Sequence, residues 1–167
     1  MALSQAEFCR LVDEHGAVLY RTAFRLVGDR HEAEDIVQET YRSIWKSRFR
    51  YRSDLGERAW MISILRRRVA DRWRRRRLPT VLAGETPPDV ATTIEDPLQD
   101  QYTDEMQKAL GALPPELRET LLLVVVSGLT HQEAANELGI PLGTVLSRVA
   151  RARSRLRAAL AASIRSE

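Results

Sequence analysis

A chain of 167 residues, with 26 lysines and arginines against 23 aspartates and glutamates, is long enough for one or two small domains and carries a formal net charge of +3. The single cysteine, Cys9, excludes an internal disulfide. The longest apolar run, Leu121 to Val126, is far too short to span a bilayer, and Met1 to Phe8 lacks the apolar segment of a secretory signal, so a cytoplasmic protein without membrane insertion is expected. Charge is spread unevenly: residues 1–77 carry net +7, 78–100 net −5 and 101–167 net +1, the pattern of two basic modules on an acidic linker. Arginine supplies 24 of the 26 cations. Its planar fork suits phosphate and guanine edges, although a GC-rich genome produces the same bias.

A first helix is expected over Ser4 to Val27, where Phe8, Leu11, Val12, His15, Val18, Leu19, Ala23 and Leu26 recur on one face at the helical period. Gly28 ends it. Asp29 and Glu32, three residues apart, cap a second helix running to about Ser47, with Ala33, Ile36, Val37, Thr40, Ile44 and Trp45 as its core face. The carboxylates of this helix gather in its first half, off that stripe. Cys9, His15 and His31 match no compact zinc spacing, and Cys9 between Phe8 and Leu11 reads as a buried thiol. Neither a metal nor a cofactor is expected.

Residues 47–56, SRFRYRSDLG, interleave arginine with Phe49, Tyr51 and Ser53. The alternation is compatible with a short strand or a mobile surface loop. A basic, aromatic loop also suits single-stranded nucleic acid, whose bases stack on rings while arginines hold the backbone. A third helix, Glu57 to about Arg76, is expected to bury Trp60, Met61, Ile64, Leu65, Val69 and Trp73, leaving Arg66, Arg67, Arg68, Arg72 and Arg74 to Arg77 outside. Such a cationic surface repels itself unless a polyanion covers it: nucleic acid is the first reading, a membrane surface the rival. Leu78 to Asp100 holds four of the seven prolines and no cation, and reads as a linker.

Four further helices are expected at about 101–111, 115–127, 131–138 and 142–163, with Leu117, Leu121, Leu122, Val124 and Val125 in their core. Thr130 and Glu133 form a capping box, and Gly139-Ile140-Pro141 stops the helix they begin. In the last helix Val145, Val149, Ala152, Leu156 and Leu160 make one inward stripe. Arg148, Arg151, Arg153, Arg155 and Arg157 lie between them, with no acidic residue from Leu138 to Ser166. Short helix, glycine turn and longer basic helix form a helix-turn-helix pattern, whose second helix enters a major groove; a solvated helical hairpin is the bland alternative. Gly143, Thr144 and Ser147 at the helix start let the backbone approach phosphate. The chain is thus expected to be all-α: two small helical domains, three helices (1–77) and four (101–167), joined by a flexible linker (78–100).

Two stretches then read together. HEAEDIVQETYRSIW (31–45) and ALGALPPELRETLLLVVVSGLTHQEAANELGIPLGTVLSRVARARSRL (109–156), with RRRVADRWRRRR between them, closely resemble the two conserved modules of bacterial extracytoplasmic-function (ECF) sigma factors of the sigma-70 family. The likeness covers nearly the whole chain. It implies binding of core RNA polymerase through its β′ clamp and β flap, promoter recognition, and regulation by an anti-sigma factor. Asp35, Gln38, Glu39 and Arg42 would meet polymerase. The −10 element would be held by Arg48, Phe49, Arg50, Tyr51, Arg52, Ser53, Asp54, Arg66, Arg67, Arg72, Arg74, Arg75 and Arg76. Gly143, Thr144, Ser147, Arg148, Arg151 and Arg155 would face the −35 element. The sequence departs from the family pattern at Glu57, where Phe is usual, and at Leu146, where Lys is common.

No nucleophile–base pair or glycine-rich phosphate loop stands out, so an enzyme is not expected. The alternative from another class is a stand-alone transcriptional regulator that binds duplex DNA without polymerase.

Overall fold

The structure, a computed structural model, describes residues 2–51, 56–77 and 104–165. They form α1 (Gln5–Val27), α2 (Arg30–Lys46), a 3-10 turn (Arg48–Arg50), α3 (Glu57–Arg77), α4 (Asp104–Ala112), α5 (Pro115–Val125), α6 (His131–Leu138) and α7 (Leu142–Ile164). No strand occurs among the described residues, so the alternation at 48–53 yields a 3-10 turn as far as it can be followed. Arg52, Ser53, Asp54 and the acidic segment 78–100 lie outside the described residues.

Local chemistry sets the helix ends. Ser4 and Glu7, like Thr130 and Glu133, satisfy each other's backbone N–H groups in reciprocal capping boxes. Asp29 accepts the Glu32 N–H, while the Glu32 carboxylate turns towards α3. Gly28 and Gly139 close α1 and α6 with φ of 75° and 64°, a left-handed conformation in which a Cβ would be strained.

α1, α2 and α3 pack round Leu11, Leu19, Ala23, Ile36, Val37, Ile44, Met61 and Leu65. α5, α6 and α7 pack round Leu121, Leu122, Ala134, Val145, Val149 and Ala152. Each large aliphatic side chain among them stabilises its half by about 1.5–3 kcal/mol.

Three expected core residues are in fact exposed. Cys9 lies outside because a helix turns about 100° per residue, which places it roughly opposite Leu11 while Phe8 stays on the inner side. Trp45 sits at the rim, edge-on to Phe8 at 5.3 Å. Val125 is half open to solvent; burial on α5 follows Leu122, Leu123 and Ser127 instead, as the chain at Ser127 seats against α1. α1 also buries Thr22 and Arg25, polar residues on or beside its predicted apolar face, and Tyr20 off that face.

Polar contacts join the two halves beside their shared apolar core. Thr22 Oγ1 donates to the Val18 carbonyl (2.8 Å), so the buried contact between Thr22 and Ser127 (2.9 Å) has the Ser127 hydroxyl as donor. Arg25 donates to Gln107 Oε1 at 2.7 Å. Arg66 of α3 donates from Nε to Glu119 of α5 (2.8 Å) and from Nη1 to the Glu137 carboxylate (2.7 Å) and carbonyl (3.0 Å) at the end of α6. Gly128, with φ of 70°, passes so close to Arg58 that a Cβ would stand 2.7 Å from its guanidinium.

Candidate nucleic-acid and polymerase interfaces

Ser43, Lys46 and Ser47 at the end of α2, Arg50 of the 3-10 turn, and Ile64, Arg67 and Arg68 of α3 line one open groove. Ser43 and Ser47 donate their hydroxyl protons to the carbonyls of Glu39 and Ser43, so the groove's donors are its cations, of which Arg68 also lies 3.5 Å from Asp71. Four cations along an open groove have the charge and donors that suit a phosphate backbone. Beside it the Arg48 guanidinium lies 4.5 Å from the Trp45 ring and 4.4 Å from the Phe49 ring, and Phe49 is 69% exposed. An exposed ring next to a cationic groove can stack a nucleobase.

The other basic surface is α7. Val145, Val149 and Ala152 face inward, so Ser147 and Arg151 face out. Arg151 folds back on Ser147, with Nε 3.4 Å from its carbonyl and Nη2 3.5 Å from Oγ. Arg148 leans to Glu116 at 3.5 Å, a loose pair because Glu116 is largely solvated. Gly143 and Arg155 are exposed, and Thr144 is half-buried.

Residues 11–78 match the Sigma-70 region 2 family and residues 103–156 the Sigma-70 region 4 family. The ECF RNA polymerase sigma factor SigL of Mycobacterium tuberculosis is 34% identical over 159 residues, which cover 89% of this chain and 86% of that protein. This chain is an ECF RNA polymerase sigma factor. SigE of Mycolicibacterium smegmatis, another of that family, is 38% identical over 158 residues; the match covers 90% of this chain but 60% of that longer relative. Among solved structures, the sigma factor RpoE of Bartonella quintana, in complex with the anti-sigma factor NepR, superposes with a TM-score of 0.67 at 27% identity, covering 89% of this chain and 94% of that one. No helix among the described residues is long and apolar enough to cross a membrane.

Within this sigma factor the residues expected to meet polymerase lie together along α2, but Asp35 and Glu39 share an internal partner that the sequence did not reveal. Arg72 of α3 donates to Asp35 (2.9 Å) and lies 3.4 Å from Glu39. Asp35 nevertheless keeps most of its surface in water, and Arg42 is exposed. The same bond means that Arg72, expected on DNA phosphates, is engaged with α2. Arg76 pairs with the buried Glu32, Arg74 with Asp71, and Arg66 with Glu119 and Glu137. Burial opposes the Arg66 charge, but the two carboxylates more than offset it and hold its pKa above the ordinary guanidinium value. Arg50, Arg67 and Arg75 remain at the surface. Lys46 joins the groove without having been singled out, its signal being its place on the edge shared by α2 and α3; Arg68, expected on the cationic outer face of α3, lines the groove as well.

Glu57, where the family usually has Phe, proves to be an anchor. Its carboxylate accepts two bonds from Arg10 of α1 (2.6 and 3.2 Å) and the Tyr51 hydroxyl (3.0 Å), tying the loop to both helices. The bond from Arg10 is the main cause that holds the Glu57 pKa below the usual carboxylate value, against the effect of burial. The Tyr51 phenol is pushed up by burial and by the same carboxylate. Glu14, His15 and Glu57 bring potential ligand atoms within 4.8 Å of one another, but Arg10 already occupies both carboxylates.

Acidification should therefore release Tyr51. The stability that Glu57 contributes is complete above a pKa of about 4.3 and is lost as pH falls through its lowered folded value. Trp60, whose ring lies edge-on to Tyr51 at 5.0 Å, should report the change by fluorescence, with Trp45 and Trp73 replaced by Phe. Glu57→Gln should lack this acid transition, and a transition equal to that of the parent would refute the anchoring role.

Proposed function

We propose that residues 1–77 serve as the polymerase-binding and −10-melting domain of this sigma factor and residues 101–167 as its −35-reading domain, with 78–100 as the connection. α2 presents Asp35, Gln38, Glu39 and Arg42 to core polymerase. The groove of Lys46, Arg50, Arg67 and Arg68 takes the backbone of the melted −10 strand, and Phe49 and Tyr51 take its bases. α7 enters the major groove of the −35 element with Ser147, Arg148, Arg151 and Arg155. The protein works in the cytoplasm, initiates rather than catalyses, and is restrained by an anti-sigma factor, as the complex of the Bartonella relative with NepR suggests.

The observation that carries this reading is the presence in one chain of an uncovered cationic groove beside an exposed aromatic and of a helix-turn-helix with an arginine-bearing outer face. These are tools for single-stranded and duplex DNA respectively. The test is capture of purified core RNA polymerase by the tagged chain, followed by promoter melting read with permanganate at −10 thymines. Capture and melting together are the expected result. Tight duplex binding without polymerase, and no capture, would show a stand-alone regulator instead.

A further inference from the structure

The leading turns of α7 carry a thin apolar strip that the fold leaves uncovered. Leu142 and Leu146 are 40% and 49% exposed and four residues apart, so they lie on one side of the helix, with the exposed Ala150 one turn further on. The inward line of α7 is Val145, Val149 and Ala152; Leu142 continues its edge at the uncovered start of the helix, and Leu146 stands further round towards the outward face. Next to the strip, on the outward face, stand Ser147 and Arg151, and no acidic residue occurs from Leu138 to Ser166 to repel a polyanion. The strip is thus an apolar edge flanked by cations, at the end of a helix-turn-helix helix that meets base edges.

A major groove offers one apolar group to such an edge, the C5-methyl of thymine. Cytosine would set a hydrogen at C5 and an N4 amino donor against leucine, and that donor would lose its water without gaining a partner. We propose that Leu142 and Leu146 determine promoter specificity by packing on thymine methyl groups of the −35 duplex, with Leu146 as the principal contact. The assignment rests on the promoter reading above and gives it a chemical preference: thymine on one strand, read by shape and apolar contact rather than by a hydrogen bond.

Holoenzyme reconstituted with core polymerase is used to select binders from promoter duplexes randomised across the −35 hexamer. Each thymine of the winning sequence is then replaced by deoxyuridine, which removes the methyl and nothing else. One lost methyl contact corresponds to about a fourfold loss of affinity. We expect that loss at one or two positions with the parent protein, and at fewer with Leu146→Ser. Selected sequences whose every thymine tolerates uracil would overturn the leucine assignment while leaving the promoter reading intact, and this arm needs no variant. Absence of any −35 enrichment would overturn both. A Leu146→Ser holoenzyme with unchanged selection and unchanged uracil sensitivity would assign the strip to a protein partner instead.

Discussion

Replacing Asp35 and Glu39 together by arginine should lower holoenzyme formation at least a hundredfold, about 3 kcal/mol, because two charges meant for a basic partner are reversed at once. The reversal also confronts Arg72 with two new cations, since Arg72 bonds Asp35 and approaches Glu39 in the parent. A third change, Arg72→Gln, removes the confronted cation without setting a carboxylate against the buried Glu32, which lies 3.8 Å from Arg72 and keeps Arg76 as its partner. The triple variant should regain the circular dichroism and melting temperature of the parent yet still fail to capture core polymerase in a fluorescence-anisotropy titration. If it binds polymerase as the parent does, α2 is not the docking face.

The second large effect concerns the seam between the halves. Arg66, expected on the −10 strand, is held by Glu119 and Glu137, with only a fifth of its side chain in contact with water. Bonds between a charged group and its partner contribute about 1.5–3 kcal/mol. Glu119→Gln with Glu137→Gln should therefore favour separation of the halves by about tenfold or more and free Arg66. Small-angle scattering should show a larger radius of gyration, and a single-stranded −10 oligonucleotide should bind correspondingly more tightly. An unchanged radius together with unchanged oligonucleotide affinity would mean that these two carboxylates do not hold the halves together. Adding salt to the parent protein should move it in the same direction as the variant, because the pairs at Arg66 are partly screened.

What could be read from the sequence was whatever neighbouring residues decide among themselves. The Thr130–Glu133 box, the stops at Gly28 and Gly139 and the inward stripe Val145–Val149–Ala152 depend on spacings of three or four residues, and all stand as expected. The errors arise where a distant segment intervenes. Thr22 and Arg25, polar residues, are buried where Ser127 and Gln107, 105 and 82 residues away, meet α1. The partner of Arg72 was missed because nothing in the chain near it announces Asp35, 37 residues away. Glu57 was legible only as a departure from the usual Phe; its partners, Arg10 of α1 and Tyr51, come from distant or loop positions.

The stack of Trp45, Arg48 and Phe49 has a thermodynamic consequence for whatever lands on it. The Arg48 guanidinium is fixed between two rings and by the Trp45 carbonyl (2.9 Å), while its own carbonyl accepts the Leu3 N–H at 3.0 Å. Restricting a side chain at an interface ordinarily costs about 0.5–1.5 kcal/mol at the moment of binding. Here the outermost ring of the stack is positioned when the protein folds, so an unstacked base arriving at Phe49 gives up its own freedom but does not also have to order its platform.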